Sequence, residues 1–456
     1  MHTIKITYWL LAAISLTQFC SCKKYLDAKP DQALVTPSNL ADARALLDTY
    51  DGNQSRYATL SHASNDDFYV LNDVLQGLNE TDRGLYLYTI KQESLLRGIW
   101  LGSYSAINRA NLVIDFLSDF QPAETEISTK NDCLGHAYFL RGLRHFNLAL
   151  YYTEPYLEQL AQETPGLPIR RTPDINEPTV RGTLGETYTF ILQDLENAIQ
   201  LLPERPSAYY RPGKAAAFTL KAWVLLHMHR FDEALQAAES ALALSKDLMD
   251  YNTINPNATI SFARHNAEVL FQAQISGSSL LILNNWKADS LLYSSYGSND
   301  LRRVLFFNIN GAGTHGFKGD YGGTLNVDQF AGITTGETYM MAAEAAARLG
   351  QTQKALQWLN ALLVKRFKTG TYIPYDVNNA NEAFSIIREE RRKEFAGRGL
   401  RWFDLRRWNY EGVTSVEIVR KYNGTTYVLS PKSKNYVFEI PADVINMSGI
   451  LQNERE

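Results

Sequence analysis

Two stretches of the chain share one spacing of small residues, and that spacing limits what they can fold into. In 214–244, Ala222 and Ala234 stand twelve apart, with Ala238 and Ala241 beyond. In 335–365, Ala343 and Ala355 stand twelve apart, with Leu359 and Leu362 in the matching places. Small residues at these offsets let two antiparallel helices approach closely, which is the helix-turn-helix logic of tetratricopeptide repeats. Helices over 94–152 and 183–228 offer further, more degenerate pairs.

Apolar periodicity supports this reading along most of the chain. It predicts helices over 39–50 (capped by Ser38), 94–118, 130–152, 213–228, 231–245, 336–349, 352–366 and 379–397. Thr183 caps another helix that Pro203 stops. Residues 51–93 lack a sustained period. Residues 251–335 hold 9 of the 28 Gly and ten Asn, with only short strand-like pieces such as 269–273, so they read as a loop-rich insertion. The tail, 411–456, carries β-like runs around Tyr427 and 436–440.

The composition excludes some functions. Lys and Arg total 45 against 49 Asp and Glu, a net charge of −4, so the basic surface that nucleic-acid binding needs is missing. Three Cys are too few for a disulfide scaffold. No HExxH, CxxC, GxSxG, GxGxxG or phosphate-loop pattern occurs. His227 and His229 diverge on a helix, and His145 sits on an apolar face as a core histidine. Neither a metal nor a cofactor is expected, and no catalytic residue is assigned. The run 388–394 (Arg-Glu-Glu-Arg-Arg-Lys-Glu) reads as a solvated helix face with i,i+4 pairing. The segment 395–408 packs two Trp, two Phe and four Arg together, which suits buried Arg stacked on Trp and paired with Asp404 and Glu394.

The N-terminus reads as an address. Lys5 precedes an uncharged run, Ile6 to Phe19, too short to span a membrane comfortably. Phe19-Cys20-Ser21-Cys22 then places a small residue before Cys22, as at a lipoprotein cleavage site. The expected division is a signal peptide over 1–21 and a mature chain from lipidated Cys22. That chain would be one domain over 22–456: a tether at 22–37, helical repeats and signature over about 94–245 and 336–408, and the insertion over about 251–335. Cys133 then has no intrachain partner.

Glu390-Arg391-Arg392-Lys393-Glu394-Phe395 followed by Gly399-Leu400-Arg401-Trp402-Phe403-Asp404-Leu405-Arg406-Arg407-Trp408 resembles the C-terminal signature of SusD/RagB-like outer-membrane lipoproteins of Bacteroidetes. Other pieces are similar and lie in family order: the start at Cys22, the Tyr104-Ile107-Ala110-Asn111 pattern, Leu140-Arg141-Gly142, Gly166-Leu167-Pro168-Ile169, Asp194-Leu195-Glu196-Asn197-Ala198 and Tyr339-Met340-Met341-Ala342-Ala343-Glu344-Ala345. Residues 151–156 depart from the family's Gly-containing turn. The resemblance implies a mainly α fold with about four tetratricopeptide-type helix pairs. It also implies a non-catalytic, surface-exposed lipoprotein that binds oligosaccharide and hands it to a SusC-like TonB-dependent transporter. A peptide-binding RagB-like role and a surface glycoside hydrolase are the alternatives.

Family ligand residues fall outside the matching motifs, so the site is sought from composition. Carbohydrate sites use flat aromatics with Asn, Asp and Arg around them. Trp223 and Trp358 belong to repeat helices, and Trp402 and Trp408 to the signature. Trp286 lies in the insertion, with Asn284, Asn285, Asp289, Tyr293 and Tyr296 near it. An early loop adds Asn65, Asp66, Asp67 and Tyr69. Trp100, at a helix start, is read as either core or ligand contact. The expected ligand set is Trp286, Asn284, Asp289, Tyr293, Tyr296, Asp66, Asp67, Tyr69 and Trp100.

Overall fold

The computed structural model describes residues 36–49, 60–89, 93–275, 280, 285–310, 313–319, 321–324 and 329–456. Cys22 and Asn284 lie outside these. Residues Ser38–Glu456 form one compact unit.

Helices dominate. α1 (Leu40–Leu47), α2 (Glu93–Asp119), α3 (Ile127–Tyr152), α4 (Leu184–Leu201), α5 (Lys214–His227) and α6 (Phe231–Leu244) come first. α7 (Thr335–Arg348), α8 (Thr352–Leu363), α9 (Ala380–Glu394) and α10 (Arg401–Glu411) follow the insertion. Sequential neighbours pack: α2 on α3, α3 on α4, α5 on α6, α7 on α8, with α6 also against α7. Trp100 meets Tyr152 and Tyr104 meets His145, while Asn111 meets Arg141, so α2 and α3 run antiparallel. Ala222, Ala234, Ala343 and Ala355 are all 0% exposed, as close approach at the repeat spacing requires.

Local chemistry sets the helix ends. Thr183 and Glu186 form a capping box on α4. At α1 the cap is Asn39, whose side chain accepts from Asp42 N, whereas Ser38 donates to the Asp42 carboxylate. The expected cap was one residue early.

The insertion is stitched by antiparallel strand pairs of two or three residues, including 269–271 with 333–334, 274–275 with 329–330, and 307–309 with 315–317. The tail hairpin pairs Ile418–Tyr422 with Thr425–Leu429. The 436–440 run forms no strand. Phe438 N donates to Tyr151 O, and Asn453 Nδ2 donates to Phe438 O, so its backbone partners lie on α3 and on a side chain.

The 388–394 run is not the solvated face its mixed charge suggested. Glu390, Arg391 and Glu394 are buried. Arg391 Nε donates to Asp404 at 2.7 Å. Arg302 holds Glu390 at 2.6 Å and Glu394 at 3.2 Å, and Arg366 holds Glu394 at 2.8 Å. These partners come from distant segments, which helical i,i+4 spacing cannot reveal. In the signature, Arg407 pairs with Asp404 and lies 4.7 Å from the Trp408 ring centroid, as expected, and its other carboxylate partner is Glu344. Asp404 is shared with Arg391; Glu394 pairs instead with Arg302 of the insertion and with Arg366 just after α8. Gly397, at φ +75°, sits where a Cβ would meet the Phe317 ring at 2.2 Å.

Candidate functional site

Most of the residues expected to bind ligand do come together, but as part of the scaffold. The strand Trp286–Ala288 pairs antiparallel with Phe68–Val70, setting Trp286 opposite Val70 and Lys287 opposite Tyr69. Alternation along the strand turns Trp286 and Ala288 inward. Trp286 is 3% exposed, with its ring 3.7 Å from Phe68, 5.2 Å from His62 and 5.6 Å from Phe317, centroid to centroid. Trp286 is therefore a core residue, not a platform for a sugar ring. Burial pushes His62 down to about 4, so its ring is neutral at pH 7.

The carboxylates nearby are already committed. Asp66 accepts from Arg401 at 2.8 and 2.9 Å, and Asp67 from Arg392 Nε at 2.8 Å. Asp289 caps the 290–295 helix through Leu292 N and stands 3.7 Å from Arg392. Burial pushes Asp67 up to about 6 against the pull of Arg392. For Asp66 burial acts upward too, but Arg401 and Arg392 outweigh it and hold it at about 2. Tyr296 is buried and donates to Lys393 O at 2.8 Å. Tyr293 stacks on His315 at 3.4 Å. Tyr69 stays half-buried on its strand.

Trp100 is as buried as Trp286, at 3% exposed, but it stands at the base of a groove. This open groove of about 890 Å³ lies between α2, the 168–180 loop and the short helix Ala442–Ser448. This volume falls in the range of small-molecule sites. Trp100 and Tyr104 lie side by side, their centroids 5.0 Å apart. Arg97, Asn108, Arg170 and Asp174 supply polar groups. Leu101, Ile175, Val180 and Met447 line the same groove and are 41, 74, 66 and 89% exposed. A second cavity of about 860 Å³ is lined by Arg44, Ser128, Asp132, Arg205 and Arg211 among others, with no aromatic ring.

The groove wall is built by residues the sequence singled out for another reason. Tyr104 OH donates to Pro168 O at 2.8 Å. Asn111 Nδ2 donates to Arg170 O and Thr172 O. Arg141 is bidentate on Asp194 and also reaches Asn111 Oδ1 at 2.8 Å and Arg171 O at 3.2 Å. Four separate sequence motifs thus meet to hold one loop. Arg97 Nε donates to Asp443 at 2.6 Å and ties α2 to the far wall. Arg97, Asn108 and Asp174 carried no sequence signal, because they are ordinary polar residues on a helix face and in a loop. A shared groove wall marked by Tyr104 and Asn111 was the available hint. Among the described residues, no group of three or more His, Cys, Asp or Glu is placed to hold a metal.

Comparison with known proteins points one way. A family profile described as starch-binding and associating with the outer membrane matches residues 24–226, and the SusD family profile matches 320–451. A SusD-like protein of Formosa agariphila is 24% identical, over 93% of this chain and 94% of its own length. A SusD superfamily structure from Bacteroides thetaiotaomicron superposes with a TM-score of 0.74 at 22% identity, covering 91% of this chain and 100% of the other. A SusD-like carbohydrate-binding protein from Bacteroides vulgatus does so at 0.69 and 18% identity, covering 90% and 96%.

Proposed function

Because the chain belongs to the SusD/RagB family, we propose that it captures oligosaccharide at the cell surface and passes it to a SusC-like TonB-dependent transporter in the outer membrane. Residues 1–21 act as the signal peptide, and lipidated Cys22 anchors a single domain over 22–456. Among the described residues no helix is long and apolar enough to cross a membrane, which accords with a lipid anchor. The protein works by binding and not by catalysis. Asp443 is engaged by Arg97, while Asp174 accepts from Asn176 N at 2.8 Å within its own exposed loop and keeps acceptor capacity for a ligand.

One observation carries the ligand reading: the groove floored by Trp100 and Tyr104. Half-buried Tyr104 and the exposed remainder of Trp100 give the groove an apolar base for sugar C–H groups, and Asn108, Arg97 and Asp174 stand where hydroxyls would need partners. Isothermal calorimetry of the mature domain against a polysaccharide panel tests this. Saturable binding to at least one glycan, weakened in Arg97→Ala/Asn108→Ala, is expected; inertness across neutral and acidic glycans contradicts it. The exposed Leu101, Ile175, Val180 and Met447 favour the second reading, an extended peptide in the same groove. Binding of apolar peptides in place of glycans would select it.

A further inference from the structure

Arg144 lies in the middle of α3 and is 6% exposed. Its Nε and Nη2 are sealed from solvent and have no hydrogen-bond partner. Asn147, 3% exposed, has both Nδ2 and Oδ1 sealed and unpaired. Residues three apart on a helix are surface neighbours, with Cβ atoms about 5–6 Å apart, so both side chains leave the same stripe of α3. Burial, and then the like charge of Arg109 on α2, push the Arg144 guanidinium down to about 9, with no carboxylate acting on it. Arg141, three residues earlier on the same helix, shows the ordinary solution: its guanidinium is bidentate on Asp194.

A buried cation with neither counter-charge nor acceptors is among the costliest arrangements a core can hold. Buried polar atoms without partners call for an explanation, and four on adjacent side chains share one. We propose that Arg144 and Asn147 form a binding site for a small oxyanion between α2 and α3, separate from the Trp100 groove. The oxyanion accepts from Arg144 Nε and Nη2 and from Asn147 Nδ2. Asn147 Oδ1 is an acceptor, so a ligand with a hydroxyl beside its charge satisfies the whole set. Galacturonate and hydrogen phosphate both have that chemistry.

Thermal unfolding of the mature protein at constant ionic strength tests the site, with galacturonate, phosphate, sulfate and galactose as probes. The native protein should gain about 1–3 °C at saturating galacturonate or phosphate and nothing with galactose. Arg144→Met should abolish the gain while keeping carbohydrate binding at the groove. Gain with galacturonate alone assigns the site to a sugar acid; gain with phosphate or sulfate as well assigns it to oxyanions in general. An equal response in native and Arg144→Met protein overturns the proposal, as does no response to any anion. If Arg144→Met fails to fold, native crystals soaked in selenate decide. An anomalous peak within hydrogen-bond distance of Arg144 supports the site, and its absence removes it. The groove proposal survives either outcome, because it rests on none of these residues.

Discussion

The helix pairs and the 251–335 insertion bury their backbones by different means. In the pairs, side-chain size sets the distance. Ala222, Ala234, Ala343 and Ala355 leave room for neighbouring helices, and each helix satisfies its own backbone. Among the described residues the insertion has strands of two or three residues and the short helices 290–295 and 302–306, and charge holds it. Glu268 accepts from Arg366, from Met249 N and from Tyr321 OH. Arg366 passes to Glu394, Glu394 to Arg302, and Arg302 to Asp300 and Glu390. Packing by size tolerates gradual change, whereas a buried ion chain fails when one link is removed.

Acid should separate the two regions most strongly. Burial holds His136 and His145 at about 3 and His62 at about 4. A folded pKa below the unfolded 6.5 means that the unfolded chain binds more protons between these values. Stability is therefore lost as pH falls from 6.5 towards 4, by up to about 1.4 kcal/mol per pH unit for each histidine. His136 and His145 lie on α3, in the helical part, whereas His62 alone packs against Trp286 beside the insertion's strand pair, where it partly offsets the effect of Asp67. Asp67, beside the insertion's Trp286 strand, has the opposite sign. Its folded pKa of about 6 lies above the ordinary carboxylate value of 3.8, so its contribution is present at low pH and is lost as pH rises from about 4 to 6. Hydrogen exchange at pH 7.5 and 5 should show α3 opening sooner in acid than the strand pair beside Asp67. Equal opening of both would break the distinction.

Arg302→Met should come next. It leaves Asp300, Glu390 and Glu394 buried without their shared cation, at about 3–5 kcal/mol in urea unfolding. A cost below about 1 kcal/mol would mean that charge does not hold the insertion. Ala343→Leu should cost less, about 1–3 kcal/mol, through overpacking between α7 and its neighbours. A neutral result would mean that the repeat spacing does not set the helix distance.

The difference between the regions also explains what the sequence disclosed. Helices show in a single period, so α2 to α8 were legible to within a few residues. The pieces Tyr104, Arg141 and Asp194 were legible as motifs, yet their meaning, one loop held from three helices, needed the fold. Trp286 was misread because a Gly- and Asn-rich setting suggests exposure, while its partner strand lies more than two hundred residues away at Phe68–Val70. The 388–394 charges were misread for the same reason: Arg302 and Arg366 cannot be seen from inside the helix that they pair with. Exposed groove residues such as Met447 leave no periodic signal at all.

The affinity of the mature domain for its best glycan, compared across two variants, separates the groove from the Trp286 core as the place of binding. Trp286→Ala should lower stability by about 3–5 kcal/mol and leave affinity unchanged at a temperature where the protein stays folded. Arg97→Ala/Asn108→Ala should leave folding nearly intact and weaken binding about tenfold, near 1.4 kcal/mol. The reverse pattern, with affinity lost in Trp286→Ala and kept in the groove variant, would contradict the account.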